Sequence, residues 1–353
     1  MSKAEDSDQA SVHGARELPN VIVDGYGDDV RGKDGYFGDL VSKGAFKSLV
    51  KDLRDQLSDG AGDPIENEPD ELSRSRIDKL LEQGDSATAG VVFTVVEQFA
   101  QNIFQVVKSL QKIKSWSGVE RIVVGGGFRA SRVGELAIGR AAVLVREIDP
   151  HLEVAPIRGD PDEAGIVGAL QLFSTGLLKG VERLIGVDIG GSNFRCGLVE
   201  LNTQADARFR KAGVAGHQLW RHADEELTLD ASMRRLGDML RESIKYAQKK
   251  ELALSPLIGV GVPGTVLESG ALEGGVLNLP GDWKNPDFNL PERICAMIPE
   301  IGGEPTQVIL HNDAVVQGLS EVPFMSDVAA WGVLTIGTGL GNAVFRNKKA
   351  KRK

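Results

Sequence analysis

Two carboxylates and the residues around them are the parts of this sequence whose types and spacing could do chemistry. Asp188 ends a predicted buried strand and is followed by the turn Gly190-Gly191-Ser192, whereas Asp313 stands where a predicted strand ends and a helix begins. A carboxylate beside a glycine turn can order a hydrated Mg²⁺ next to phosphates. The functional interpretation of Asp313 is a general base that takes a proton from a substrate hydroxyl, and the alternative is a plain helix N-cap.

Three glycine-rich turns, at residues 125–127, 190–192 and 337–341, each come just after an apolar strand. Successive backbone N–H groups in such a turn can converge on an anion, because glycine lacks the Cβ that would block the approach. A tight hairpin is the alternative for each turn alone, but three together favour a diphosphate or triphosphate. None has the Gly-Lys-Ser/Thr ending of a P-loop or the GxGxxG that opens a Rossmann helix, so both are disfavoured.

The composition is that of an ordinary soluble globular protein. The chain has 353 residues, of which 41% are hydrophobic and 26% charged, enough for two or perhaps three domains. Its formal net charge of -9 argues against nucleic-acid binding, since that affinity depends on neutralising phosphates with Lys and Arg. The 43 glycines exceed the average share and indicate many tight turns or close backbone approaches.

Cysteine content and hydropathy indicate the compartment. The chain has two cysteines, Cys196 and Cys295, which excludes a disulfide scaffold and a Cys-rich zinc site and fits a reducing environment. No apolar run is long enough to cross a membrane, and the first fifteen residues contain no signal-peptide core. We therefore expect a cytoplasmic protein. Residues 1–16 are predicted to be disordered, and the tail 346–353, with six Lys or Arg, to be a solvated end.

Hydrophobic periodicity predicts an α/β protein, because strands alternate with helices in both halves of the chain. The strongest predicted helix spans 87–114, with apolar residues at three- and four-residue spacing. Residues 55–70 are predicted to be an exposed loop. Other helices are predicted from about 42 and at 131–147, 161–173, 227–249 and from 314, and strands at 21–23, 120–124, 154–157, 185–188, 194–201, 256–262, 307–310, 331–336 and 342–346.

Five segments of the second half, taken in order, resemble the ROK family of repressors and sugar kinases. The run Asp188–Arg195 is close to the first phosphate motif of hexokinase-type sugar kinases, Asp-x-Gly-Gly-Thr-Asn-Phe-Arg. It is followed by Val260-Gly261-Val262-Pro263-Gly264, by Asn278-Leu279-Pro280-Gly281 with Trp283, by Asn312-Asp313, and by Ile336-Gly337-Thr338-Gly339-Leu340-Gly341. Each is moderately specific alone, and their shared order strengthens the resemblance.

The first half resembles the same family, but its C-terminal part. Gly84-Asp85, Ile122–Gly127 and Asp160–Leu170 are similar to its adenosine-binding and closing segments. We therefore predict a circular permutation, in which residues 174–183 join the family's usual ends. The predicted domains are a larger lobe of 1–160 plus 325–353 and a smaller lobe of 161–324.

The resemblance implies a two-domain fold of the actin-like ATPase (ribonuclease H-like) superfamily, with ATP and Mg²⁺ in an interdomain cleft. It implies an ATP-dependent sugar kinase in which Asp313 deprotonates a hydroxyl, such as the 6-hydroxyl of glucose or an N-acetylhexosamine, that attacks the γ-phosphate. Asp188 would organise Mg²⁺ through water. Phosphates and nucleotide would be held by Gly190, Gly191, Ser192, Asn193, Arg195, Gly337, Thr338, Gly339, Gly341, Gly125, Gly126 and Gly127, and sugar hydroxyls by Asn278, Asn312, Asp313, Glu17 and Asn20. For Arg195, a surface strand cation is the alternative.

The sequence departs from the family where Glu-x-Gly-His and a zinc-binding cysteine cluster are usual. Glu17 matches the glutamate, Asn20 stands at the histidine, and residues 35–39 contain no cysteine, so zinc is predicted to be absent. Asp39 is a candidate substitute for the family's second glutamate. Because a lost hydroxyl partner changes specificity strongly, the substrate stays open.

Two alternatives to an ATP-dependent kinase stay open: a sugar or nucleotide sensor without turnover, and a polyphosphate-dependent glucokinase. A homodimer is possible for any of these functions. A ROK repressor is disfavoured, because residues 1–40 contain no helix-turn-helix and the basic tail is too short to replace one.

Overall fold

The computed structural model describes residues 12–32, 35–60, 62–276 and 278–348. These residues form two compact units. Unit 1 comprises the described residues up to 26, residues 162–329 and residues 343–348, and unit 2 comprises 27–161 and 330–342. The predicted N-terminal disorder therefore falls largely on residues outside the described part, as does most of the basic tail.

The chain is a mixed α/β protein. Its strands are β1 Val21–Tyr26, β2 Arg121–Gly125, β3 Glu153–Pro156, β4 Arg183–Ile189, β5 Phe194–Glu200, β6 Gly213–Trp220, β7 Leu257–Val262, β8 Thr265–Val266, β9 Leu272–Glu273, β10 Glu300–Ile301, β11 Glu304–Pro305, β12 Gln307–Asn312, β13 Ala330–Ile336 and β14 Leu340–Asn347. Its helices are α1 Lys43–Ser58, α2 Arg74–Gln83, α3 Ser86–Leu110, α4 Arg132–Ile148, α5 Ala164–Gly168, α6 Leu229–Lys249, α7 Leu290–Met297 and α8 Asp313–Leu319.

Unit 1 is built on a five-stranded sheet in the order β12-β7-β4-β5-β6. Strands β4, β5 and β6 form an antiparallel meander, and β7 and β12 add to β4 in parallel. The three parallel strands are buried along almost their whole length, which explains their unbroken runs of Val, Ile, Leu and Gly. Their carboxyl ends therefore meet at one edge of the sheet, where ligand sites of open α/β sheets form.

Helices α5 and α8 of unit 1 cross at very short distance because the contact residues are small. A Cβ built on Gly168 of α5 would lie 1.8 Å from the carbonyl oxygen of Val316 in α8. Next in the same helix, Gly165 lies against the side chain of Asp188, whose Cγ would be 2.5 Å from a Cβ at position 165. The spacing of these two glycines therefore lets α5 pack on both α8 and the end of β4.

Unit 2 contains a parallel arrangement in which β2 pairs with β13 on one side and β3 on the other. Its core includes three mutually contacting aromatic rings, Phe46 of α1, Phe99 of α3 and Phe128, with centroids 4.7–5.3 Å apart. Strand β14 follows β13 and passes into unit 1, where its second half pairs antiparallel with β1, with Val21 opposite Asn347.

The predicted long helix is confirmed as α3, whose buried stripe includes Val92, Phe99 and Val106. The predicted loop at 55–70 is partly wrong, because α1 continues to Ser58. Strand β6 and helices α2 and α7 are not among the predicted elements. Strand β6 is half-exposed and contains two glycines, so its sequence lacks a clear alternation of apolar and polar residues.

The unit boundaries differ from the predicted lobes at the chain ends. The middle segment 162–329 forms one unit, close to the predicted 161–324, but residues up to 26 and from 343 group with it. The reason is a set of contacts within unit 1. Gly14 N–H donates to Leu310 O at 2.9 Å, and the Asn347 side chain donates to Val328 O at 2.8 Å.

We predict that Gly168→Ala destabilises the protein strongly, because the added methyl would overlap backbone rather than a movable side chain. Overpacking of this kind costs about 1–3 kcal/mol. The measurement is the urea midpoint of unfolding. Gly90→Ala is the matched control, since a Cβ at this helical glycine of α3 meets nothing within 4 Å and alanine favours helices. A midpoint for Gly168→Ala equal to that of the control would contradict the account.

Candidate functional site

Parallel register in unit 1 aligns the ends of three strands. Asp188 of β4 lies opposite Gly261 of β7, and Gly261 lies opposite His311 of β12. Helix α8 begins at Asp313, two residues after His311. A Cβ on Gly261 would lie 3.4 Å from the Cα of Asp313, so the glycine allows α8 to start directly against the middle strand. The structure thus brings Asp188 and Asp313, the two carboxylates singled out from the sequence, to one sheet edge.

Asp313 is the first residue of α8 and not its N-cap. The cap is Asn312, whose side-chain oxygen accepts hydrogen bonds from the backbone N–H groups of Ala314 and Val315. The carboxylate of Asp313 accepts a second bond from Ala314 N–H at 2.9 Å and remains partly accessible to solvent. The alternative of a plain cap at Asp313 is therefore wrong, and the carboxylate is available for another role.

Burial raises the pKa of Asp313 to about 7, and the negative charge of Asp188 acts in the same direction. The bond from Ala314 N–H acts in the opposite direction, since it stabilises the charged form. A carboxyl with a pKa near neutrality exchanges its proton at physiological pH. This is the property that a general base requires.

Asp188 is held by a buried ion pair. Its side chain is 1% exposed, and Oδ2 accepts from Arg195 Nη1 at 3.1 Å. Arg195 in turn donates through Nε and Nη2 to Asp162 at 3.1 and 2.8 Å. Burial raises the pKa of Asp188, whereas the charge of Arg195 opposes that rise. Arg195 therefore joins two carboxylates, and its charge is engaged inside unit 1.

The surroundings of Asp188 differ from those of the predicted Mg²⁺ site. Oδ1 is buried, and it would lie 2.7 Å from a Cβ on Gly165. Oδ2 is taken by Arg195. Neither oxygen is open to a hydrated ion, so the arrangement does not fit a metal on Asp188. Within the described part of the chain, no group of three or more His, Cys, Asp or Glu side chains has metal-binding geometry.

The turn between β4 and β5 is closed by Gly190 N–H, which donates to Asn193 O at 2.9 Å. His222 Nε2 lies 2.8 Å from Gly190 O, and Ala223 N–H donates to Ser192 O. The carbonyls are thus tied to the segment after β6. Gly191 lies against Asn278, whose Cβ would be 3.2 Å from a Cβ on the glycine. The structure therefore places Asn278 beside the turn.

The remaining predicted sugar-binding residues of unit 1 have contacts of their own. The amide of Asn312 donates to Gly264 O at 3.0 Å, in addition to capping α8. Asn20 donates to the side chain of Gln171 at 2.8 Å, and the exposed Glu17 lies 3.9 Å from Lys348 Nζ. For Asn312 these contacts indicate a role in positioning the strand ends. Glu17 and Asn20 make their contacts from the short loop that precedes β1.

Unit 2 brings its two glycine turns together. Thr335 of β13 lies opposite Gly125 of β2, and a Cβ on Gly126 would lie 2.5 Å from Ile336 O. The turn at 337–339 begins at the residue after Ile336. It is held at its first residue by Lys43 N–H, at the start of α1, which donates to Gly337 O at 2.9 Å. A Cβ on Gly339 would meet nothing within 4 Å, so no packing within the protein requires a glycine there. Such a position fits a group that approaches the backbone from outside.

Thr338 lies within the second turn, and Gly341 lies in the following strand β14. Sequence reasoning missed Asp162 and Gly165, although both lie in the segment resembling the family's closing part. The signal was present as Asp-Pro-Asp-Glu-Ala-Gly, but only the structure shows that Arg195 connects this segment to Asp188.

Comparison with known proteins gives matches among solved structures only. No model of a known protein family and no curated protein matches the sequence. A Cytophaga hutchinsonii protein described as a sugar kinase is 19% identical over 48% of this chain and 50% of its own, with a TM-score of 0.35. A ROK family glucokinase from Streptomyces griseus, in complex with glucose and AMPPNP, is 18% identical over 48% and 47%, with a TM-score of 0.34. A ROK hexokinase from Thermus thermophilus is 19% identical over 48% and 50%, also at 0.34.

The chain thus spans about half the length of these structures. All three are described as sugar kinases, glucokinases or hexokinases. Among the helices of the described residues, none has the length and hydropathy that a membrane crossing needs.

We predict that Asp313→Asn stabilises the protein at about pH 8 and that the gain disappears towards pH 4. The folded state binds the proton of Asp313 more tightly than the unfolded chain, so this group lowers stability as the pH rises from the unfolded value near 4 to about 7. Asparagine removes that cost. The measurement is the unfolding temperature across this range, with Asp52→Asn on the exposed side of α1 as control. Equal unfolding temperatures of variant and wild type at pH 8 would contradict the raised pKa.

Proposed function

We propose that the chain is an ATP-dependent sugar kinase of the ROK type, which phosphorylates a hydroxyl of a hexose such as glucose or an N-acetylhexosamine, at the 6-hydroxyl. The observation that carries the proposal is the carboxylate of Asp313, which lies partly accessible at the end of β12 with its pKa raised to about 7. The motifs of the sequence, which occur in the order described, are the basis for naming the ROK type. The two sets of glycine turns supply sites for phosphate.

In the proposed reaction, Asp313 accepts the proton of the sugar hydroxyl. The hydroxyl oxygen then forms a bond to the terminal phosphorus of the nucleotide while the bond from that phosphorus to the bridging oxygen breaks, and the nucleoside diphosphate takes the electron pair. Asp188 does not touch the substrate in this scheme. Its charge, kept inside unit 1 by Arg195, helps to keep the pKa of Asp313 close to neutrality.

The proposal assigns the acceptor sugar to unit 1. Asn278 is exposed beside the turn at Gly191 and carries an amide that can donate to one hydroxyl and accept from another. Asn312 positions the base by capping α8 and holding Gly264. The role of Arg195 follows its contacts, so we assign it to holding Asp188 and Asp162 and not to direct neutralisation of a phosphate.

The proposal assigns the phosphates to the backbone of the turns at 190–192 and 337–339, and the nucleoside side to 125–127. The open Cβ position at Gly339 supports this for the second turn. When bound, ATP supplies the phosphoryl group and, through its phosphates, the ligands for any accompanying Mg²⁺. The protein's contribution there is a rigid set of N–H groups, because both turns of unit 2 are fixed by backbone hydrogen bonds.

We also propose that the chain is circularly permuted. In unit 1, β4 and β5 are followed by the antiparallel strand β6 and then by the parallel strands β7 and β12. The succession β13, β14, β1, β2, β3 gives the same order of neighbouring strands, if β1 follows β14 in the unpermuted chain. The hydrogen bond from Lys348 N–H to Asn20 O brings the segments beside β14 and β1 together, which supports that order.

A sensor that binds sugar without turnover is the second candidate. Glu17 stands at the family's glutamate and Asn20 at its histidine. Their side chains contact Lys348 and Gln171, respectively, and these contacts within the protein favour a pocket with altered function. A coupled ADP-release assay over hexoses, N-acetylhexosamines and polyols separates the two functions. Release of ADP with any of these sugars supports the kinase. No release, together with sugar-induced thermal shifts, would support the sensor.

We predict that Asp313→Asn lowers kcat for the accepted sugar by about 10²–10⁴-fold, since this is the usual contribution of a general base. The dissociation constant for ATP should stay close to that of the wild type, because Asp313 does not hold the nucleotide in this scheme. Steady-state kinetics and titration calorimetry give the two quantities. The wild-type kcat should rise with pH through about 7, as Asp313 loses its proton. Full turnover by the variant would refute the role of Asp313.

A further inference from the structure

Cationic side chains surround the first glycine turn of unit 2, although neither the sequence motifs nor the reaction scheme assigns them a role. A Cβ built on Gly127 would lie 3.3 Å from Lys43 Nζ and 3.9 Å from Arg74 Nη1. Lys43 opens α1 and Arg74 opens α2, so two helices deliver their first side chains to one turn. We call Lys43, Arg74 and the turn at 125–129 the cationic turn.

A third cation belongs to the same turn. Arg129 N–H closes it by donating to Gly126 O, and the Nε atom of Arg129 is buried without a hydrogen-bond partner among the described residues. A buried charged donor costs free energy unless an acceptor meets it. Lys43 and Arg74 are each half-buried, so the charges are partly withdrawn from water at the place where they converge.

The backbone at the same place favours an anion. Lys43 N–H reaches Gly337 O, which brings the start of the 16-residue helix α1 next to the turn at 337–339. The N-terminus of a helix carries partial positive charge. Because residues 127 and 339 are glycines, an anion can approach the backbone there without meeting a side chain of either residue. Guanidinium and ammonium groups around such backbone donors match the geometry and charge of phosphoric anhydrides.

We propose that Lys43 and Arg74 of the cationic turn bind the phosphate chain of the phosphoryl donor, between the turn at 337–339, which takes phosphate, and the turn at 125–127, which faces the nucleoside. The inference rests on the proposed function in placing the donor in unit 2, and it deepens it by naming side chains where the motifs name only glycines. A nucleoside triphosphate and an inorganic polyphosphate share this chemistry.

The test is the binding of ADP, inorganic tripolyphosphate and adenosine to the full chain, measured by titration calorimetry without sugar. Lys43→Gln and Arg74→Gln should each weaken ADP binding about ten- to a hundredfold, the usual effect of losing a charged hydrogen bond. Adenosine binding should be unchanged. Lys47→Gln and Arg76→Gln are the matched controls, because these cations lie on the same two helices and pair with the exposed Glu71 and with Glu68.

The wild type provides a second readout that does not depend on the folding of any variant. Its affinity for ADP should fall steeply with added salt, whereas that for adenosine should change little. Tight binding of tripolyphosphate to the wild type with the same loss in the variants would also support the site and would show that it accepts an inorganic polyphosphate as well as a nucleotide. ADP affinities of Lys43→Gln and Arg74→Gln equal to those of the controls, or a wild type that binds neither phosphate compound, would overturn it.

The outcome is separable from that of the proposed function. Cation-dependent binding of ADP in a protein that phosphorylates no sugar would keep the site and remove the kinase. Sugar phosphorylation with unchanged ADP binding in both variants would keep the kinase and remove the site.

Discussion

The proposed chemistry depends on the partial burial of the Asp313 carboxyl and on the negative charge of Asp188 beside it. Asp188 is almost completely enclosed, and its ion pair with Arg195 is what makes a charge there tolerable. Asp313 lies within the reach of that charge, and the two effects of burial and repulsion together raise its pKa to about 7. Removing the charge of Asp188 would lower the pKa of Asp313, and exposing Asp313 to water as well would return it towards the pKa of an ordinary surface aspartate, which is a weak base.

The rest of unit 1 serves this arrangement. Parallel pairing sets the ends of β4, β7 and β12 side by side, and glycines at 165, 168 and 261 let α5 and α8 pack directly on those ends. Asp162, at the end of the segment before α5, holds the far side of Arg195. A loop residue, two helices and three strands therefore fix one pair of carboxylates. The backbone must be placed accurately, because the contacts at Gly165 and Gly168 leave no room for a methyl group.

Much of the fold could be predicted from the sequence because its strands and long helices carry strong periodic signals. Helix α3 and the buried strands of unit 1 are examples, and Asp188 and Asp313 could be found because each stands at the end of such a strand. The domain boundaries at the chain ends could not be predicted, since they depend on long-range contacts such as Gly14 with Leu310. The enclosure of Asp188 was missed for the same reason. Arg195 is seven residues away along the chain, but Asp162 and Gly165 come from a different segment.

The most direct measurement of the central claim is the titration of the Asp313 carboxyl itself. Protein with carbon-13 in the aspartate carboxyls gives one resonance per side chain, and Asp313→Asn identifies the one in question. The account predicts a midpoint near 7 in the wild type and a clearly lower midpoint in Asp188→Asn, where the neighbouring charge is gone. A midpoint close to 4 in the wild type, or one that Asp188→Asn leaves unchanged, would contradict it.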